Sequence, residues 1–288
     1  MDKINWFPGH MAKTIREIKT IINMVDAVID IRDARIVFSS SIPNIKQITN
    51  NKPRVILLNK CDLADKNITN QFLKYFKTNN TVALEINALS GIGISNIKKT
   101  IQELLKDKLN KLISRGIQNY EIKVLVLGIP NVGKSSFINR VTKSSNAKVS
   151  NKPGVTKSLQ WIKSNLGITL MDSPGLLAPN LDDSKTSINL ALTGAIKEEI
   201  LNQEELALYL INKLSSEYPN NLKDRYNLDK LSEDPSITLN DIGIKRGCLK
   251  SQGEIDLNRA SKLILDDFKN GKLGFISLEK PYKDVKNE

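Results

Sequence analysis

A chain of 288 residues, 40% hydrophobic and 26% charged, has the composition of an ordinary globular protein of roughly two domains, which excludes collagen-like, disordered and small disulfide-scaffold classes. No apolar run approaches the ~18 residues that span a bilayer, residues 1–10 lack the apolar core of a signal peptide, and two cysteines with one histidine leave no all-soft zinc set, so a soluble cytoplasmic protein is expected. Its net charge of +12 and pI near 9.5 point to a polyanionic partner or to a lysine-rich compositional bias.

In chain order, apolar β-branched runs predict short buried strands at 27–31, 54–58, 82–86 and 122–127. Helical periodicity is predicted between them, over 11–24, 42–50, 69–78, 94–112 and 134–141. Residues 159–164 and 168–171 flank Asn165, Leu166 and Gly167 and read as a hairpin. Strands alternating with helices give an α/β domain on a largely parallel sheet. The texture changes near Leu181. A long helical pattern covers 186–214 until Pro219 stops it, two more helices follow at 239–249 and 256–270, and the chain after Gly271 is expected to be extended. The predicted division is 1–180 and 181–288, the latter mostly helical, joined through 179–185.

Residues 128–135 (GIPNVGKS) fit the phosphate-loop pattern G-x-x-x-x-G-K-[ST], with a hydrophobic strand before and a helix after. Glycines let backbone N–H groups turn toward phosphate oxygens at a helix N-terminus. Asn131, Val132, Gly133, Lys134, Ser135 and Ser136 are therefore candidate nucleotide-binding residues. Lys134 is expected to reach the β- and γ-phosphates, and Ser135 to ligate Mg²⁺. Residues 59–62 (NKCD) close a predicted strand and have the form N-K-x-D: Asp62 can accept from the guanine N1–H and 2-amino groups, Asn59 can face O6 and N7, and the Lys60 stem can lie along the ring. Asp172 to Gly175 (DSPG) fit D-x-x-G, with Asp172 on Mg²⁺ and the Gly175 N–H on the γ-phosphate. Thr156, after Pro153 and Gly154, is the candidate to complete the metal shell. Asn87 and Ala88 follow a strand where a loop N–H can meet guanine.

The order of these motifs is diagnostic. Asn59 precedes Gly128 by 69 residues, so the base-reading motif comes before the phosphate loop. A circular permutation of a Ras-like domain yields that order while keeping every neighbour in space. With WFPGHMAK near the N-terminus, the chain resembles the circularly permuted GTPases of the ribosome biogenesis GTPase A family over essentially its whole length. The resemblance implies a circularly permuted Ras-like P-loop GTPase domain with a smaller, mostly helical C-terminal domain. It implies binding of GTP and GDP with Mg²⁺, a K⁺ ion held with the help of Asn131, and catalysis by Lys134 together with His10, because Leu176 stands where many GTPases carry a water-orienting glutamine. His10 can equally cap or pack the first helix, or touch RNA.

The same resemblance implies the large ribosomal subunit and its rRNA as partners, a C-terminal RNA contact, and no membrane. By residues alone the support is mixed. Segment 1–122 carries 19 basic and 11 acidic side chains, 123–190 carries 9 and 3, and 191–288 carries 15 and 17. Yet Lys245, Arg246, Lys250, Arg259 and Lys262 cluster across a predicted helix junction, as an RNA-facing patch or a solvated face. Three readings compete: an assembly GTPase that times its release, a GTPase acting on another RNA or a membrane, and an RNA-binding GTP sensor that hardly hydrolyses. A monomer is expected.

Overall fold

The structure, a computed structural model, describes residues 8–142, 159–176, 184–196, 202–251 and 253–282, with side chains starting at Ala12 and Lys185 in the helices that begin at Pro8 and Ser184. Two compact units emerge: Met1–Leu181 with Glu279–Glu288, and Asp182–Leu278. Thus the last ten residues, which the sequence grouped with 181–278, cluster with the first unit.

In the first unit six strands form one sheet: β1 (Ala27–Asp33), β2 (Arg54–Asn59), β3 (Thr81–Glu85), β4 (Lys123–Gly128), β5 (Gln160–Lys163) and β6 (Thr169–Asp172), in the order β3-β2-β1-β4-β6-β5. All pairings are parallel except β5–β6, the predicted hairpin. Every residue of β1 and β2 is buried, as a parallel sheet covered on both faces requires. Helices α1 (Pro8–Ile21), α2 (Ile45–Ile48), α3 (Lys66–Tyr75), α4 (Asn96–Leu104), α5 (Lys106–Ser114) and α6 (Lys134–Val141) fill the connections. Asp65 caps α3, its carboxylate accepting from the Asn67 and Ile68 N–H groups.

Two helical expectations of this unit change. The predicted 42–50 helix shrinks to four residues because Asn44, Asn50 and Asn51 adopt left-handed backbone conformations on either side. The 94–112 pattern divides at Leu105: Ile97, Ile101 and Leu105 are buried, whereas α5 buries none of its residues, so the bend keeps the apolar stripe covered. The connection beyond α5 is tied back at the N-terminal ends of β1 and β4. There the buried Asp26 carboxylate accepts from Lys108, from the Tyr120 hydroxyl (2.8 Å) and from the Lys123 N–H (2.7 Å).

The second unit contains α7 (Ser184–Leu192), α8 (Gln203–Glu217), α9 (Pro219–Tyr226), α10 (Pro235–Lys245) and α11 (Leu257–Lys269). The predicted 186–214 helix is broken after Leu192, where Gly194 takes a φ of 74° and the Ala195 N–H returns to the Leu190 carbonyl. It resumes at α8 under an Asn202 cap. The pattern stops ahead of Pro219, α8 ending at Glu217, and Pro219 itself opens α9, since the first helical position needs no N–H. Among the described residues after Gly271, up to Tyr282, there is no strand, and Leu273, Ile276 and Leu278 anchor the segment by burial. Around α8, Leu206, Leu210 and Leu214 join Leu239, Ile242, Ile264 and Phe268 in the core, each large apolar side chain contributing about 1.5–3 kcal/mol. Among the described residues no helix is long and apolar enough to cross a membrane.

Candidate nucleotide site

Because β2, β3, β4 and β6 run parallel, the loops following them open at one edge of the sheet. From β1 the chain winds outward through β2 to β3, then crosses to β4 on the other side of β1. The β1–β4 boundary is therefore a topological switch point, where α/β sheets bind ligands. Residues 59–62, 87–88, 128–135 and 172–175 all fall at this edge: Asn59, Gly128 and Asp172 end their strands, Lys134 and Ser135 open α6, and the rest lie in the loops.

The phosphate-loop segment leaves β4 with Asn131 at φ 61° and Gly133 at φ 96°, and Lys134 begins α6. Gly133 is required twice over. Its φ belongs to the left-handed region, and a Cβ there would lie 2.2 Å from the Asn59 Nδ2. That near contact is functional architecture: Asn59 donates from Nδ2 to the Val132 carbonyl (2.7 Å) and accepts at Oδ1 from the Ala88 N–H (2.9 Å). The sequence pointed Asn59 at guanine O6 and N7. In the structure its oxygen and one of its two amide protons brace the phosphate loop against the 87–88 loop, which leaves the second amide proton for a base.

Around this brace the loops interlock. Asn87 Oδ1 accepts from the Leu89 (2.8 Å) and Ser90 (2.9 Å) N–H groups, shaping its own turn. Arg140 of α6 donates to the Ala88 carbonyl (3.2 Å). On the far side the Leu176 N–H donates to the Gly128 carbonyl (3.1 Å), the Ser173 hydroxyl to the Val126 carbonyl (2.8 Å), and a Cβ on Gly175 would meet Pro130 at 3.3 Å. The D-x-x-G segment thus lies directly against the phosphate loop.

Charges are concentrated here. Lys134 and Asp172, both buried, form an ion pair, so the lysine expected on phosphate lies on the aspartate expected on Mg²⁺. Two buried opposite charges at one loop edge pair because isolation would be costly. Lys60, at φ 59°, reaches Asp33 Oδ2 (2.9 Å), and Arg35 holds Asp33 through Nε (3.0 Å) and Nη2 (2.9 Å). Burial alone would raise the Asp33 carboxyl, but the Arg35 charge, then the Lys60 charge and the hydrogen bonds from both, hold it well below the usual carboxylate range. Asp62 is exposed at the mouth of this loop.

Sequence reasoning missed Asp33, Arg35, Arg140 and Ser173. The signal for the first two was present in R-D-A-R directly after an apolar strand, since charges at a buried strand end need partners. His10 falls in the first turn of α1, with its side chain outside the described residues, as is Thr156 entirely. Lys245, Arg246, Lys250, Arg259 and Lys262 are all exposed in the second unit. Arg246 is partly engaged there, donating to the Arg225 carbonyl and lying 5.3 Å from the Tyr226 ring centroid, and Arg259 donates to the Gly247 carbonyl (3.3 Å).

Comparison with known proteins gives concordant matches. Residues 123–240 match the family described as 50S ribosome-binding GTPase, starting at β4. The chain is 42% identical to Ribosome biogenesis GTPase A of Bacillus cereus over 278 residues, covering 96% of this chain and 94% of the relative. It is 32% identical to Probable ribosome biogenesis GTPase A of Mycoplasma pneumoniae, covering 96% of each. Among solved structures, GDP-bound TM YlqF aligns with a TM-score of 0.63 at 25% identity, over 92% of this chain and 99% of that one. GNP-bound YlqF from T. maritima aligns at 0.62 and 25%, over 95% and 100%. With relatives matched over nearly their whole length and the loops gathered in permuted order around one sheet edge, the chain belongs to the ribosome biogenesis GTPase A family of circularly permuted, guanine-nucleotide-binding GTPases.

Proposed function

We propose that this GTPase binds the maturing large ribosomal subunit and uses GTP hydrolysis to time its release. The observation that carries the nucleotide half is the Asn59 brace, which makes the base-reading and phosphate-binding segments one unit. The ribosomal half draws on the names of the matched relatives and on the net charge of +12. In this reading residues 1–180 form the GTPase domain. The second unit, Asp182–Leu278, forms the RNA-binding domain, with Lys245, Lys250 and Lys262 as freer phosphate contacts than the engaged Arg246 and Arg259.

Asn87 and Ala88 border the base, Asp62 reads it, and Val132, Gly133, Ser136 and Gly175 offer main-chain N–H groups to phosphate. The all-oxygen donor set of Ser135 and Asp172, with Thr156, suits a hard cation, and Asp172 already lies beside positive charge. Mg²⁺ bound there would neutralise the β- and γ-phosphate oxygens. Lys134 would exchange the Asp172 carboxylate for phosphate. Asn131, at its positive φ, is the residue proposed to help hold K⁺. Leu176 is buried and has no polar group to orient water, which leaves that role to His10, whose imidazole can donate or accept a proton.

The same buried leucine favours a second reading, a GTP-sensing scaffold with little turnover. Turnover measured with purified large-subunit particles, free rRNA or no addition separates the two. Stimulation of 10-fold or more by particles alone, lost in His10→Ala and weakened by added salt, is the expected result. An unchanged rate with every partner favours the scaffold.

A further inference from the structure

We propose that Glu279, near the opposite end of the sequence, is a positioning residue for the guanine-reading loop, acting through the turn that follows β1. The proposal rests on the reading of residues 59–62 as the guanine contact. That loop is held from one side by the turn. The Ala34 N–H donates to the Asn59 carbonyl (2.8 Å), and Asp33 ion-pairs with Lys60, fixing a lysine whose φ of 59° is unfavourable for an L-residue.

The turn itself contains little regular structure. Ser40 Oγ accepts from the Asp33 N–H (3.1 Å) and donates to the Ile36 carbonyl (2.6 Å). What closes it is the segment that re-enters the first unit. The Glu279 carboxylate accepts from the Phe38 N–H (2.6 Å), the Ser39 N–H (3.1 Å) and the Ser39 hydroxyl, across 240 and 241 residues of sequence. Tyr282 stacks on Phe38 with centroids 5.3 Å apart, and Phe38 meets Phe72 and Tyr75 edge-on at 5.2 and 5.7 Å. One anion therefore gathers three donors of a turn whose other end positions two residues of the base motif. A glutamine at 279 would keep the size but present an NH₂ to one of those donors.

The test uses the full chain. Release of a fluorescent GDP is followed by stopped flow, with competition by GDP, IDP (which lacks the 2-amino group), ADP and pyrophosphate. Glu279→Gln and Glu279→Ala are expected to release GDP about three- to tenfold faster. They should narrow the GDP-over-IDP preference by a similar factor and lower the nucleotide-free melting temperature by only a few degrees, while leaving pyrophosphate competition unchanged. In a Lys60→Ala background, Glu279→Gln should add clearly less acceleration than in the wild type, because both act in part through the Asp33–Lys60 contact. Wild-type release and preference in both variants, or equal weakening of GDP and pyrophosphate, overturns the proposal. Failure of the wild type to distinguish GDP from ADP overturns the guanine reading itself, independently of Glu279.

Discussion

Asn59 and Gly133 meet across 74 positions of sequence, and their contact defines what each can be. Asn59 needs both ends of its amide, one donating to Val132 and one accepting from Ala88. Gly133 needs no side chain at all. Gly133→Ala combines a left-handed φ with a clash at 2.2 Å, so the brace must break or the loop must move. The expected outcome is loss of GDP binding by 100-fold or more against a stability loss of only about 1–3 kcal/mol, read by calorimetry and urea unfolding. Equal GDP affinity in the variant would mean the brace is dispensable. The sequence disclosed these residues as motif members but not the brace between them, because a tetrapeptide cannot reveal which neighbouring loop its amide touches.

At the level of elements, the legible features were those written in local chemistry. The buried strands β1, β2 and β4, the β5–β6 hairpin around Gly167 and α6 after the phosphate loop follow from apolar runs and glycine placement. Helix interruptions were less legible. The periodicity of 94–112 continues through Leu105, yet α5 buries none of its residues. The turn after β1 was illegible for another reason: its partners, Lys60 and Glu279, are distant in sequence.

Asp33 gives that turn a pH signature. Its carboxyl is held below the ordinary value of 3.8, so its stabilisation is complete above the unfolded-state value near 4 and declines as pH falls below it. Asp33→Asn should cost on the order of 3 kcal/mol at neutral pH. The gap to wild type should stay constant from about pH 8 to 5 and narrow below about pH 4. A gap unchanged to about pH 3 would exclude this ion-pair account.

For the whole molecule, the permutation moves the chain's breakpoint without moving the site. The strand order keeps four ligand loops on one edge, and Asp26 ties in the connection from α5 to β4 that the rearranged order requires. After Gly175 the chain continues into the helical unit, and it returns at Glu279. Everything rests on Asp62 reading guanine beside a phosphate loop that follows it in sequence. Asp62→Asn tests this most directly, because an asparagine amide can donate to the 2-carbonyl of xanthine but cannot accept both guanine donors. Calorimetry with GDP and XDP should give a loss of GDP affinity of about 100-fold or more and a preference for XDP. Unchanged GDP affinity in Asp62→Asn would contradict a guanine pocket at this edge of the sheet.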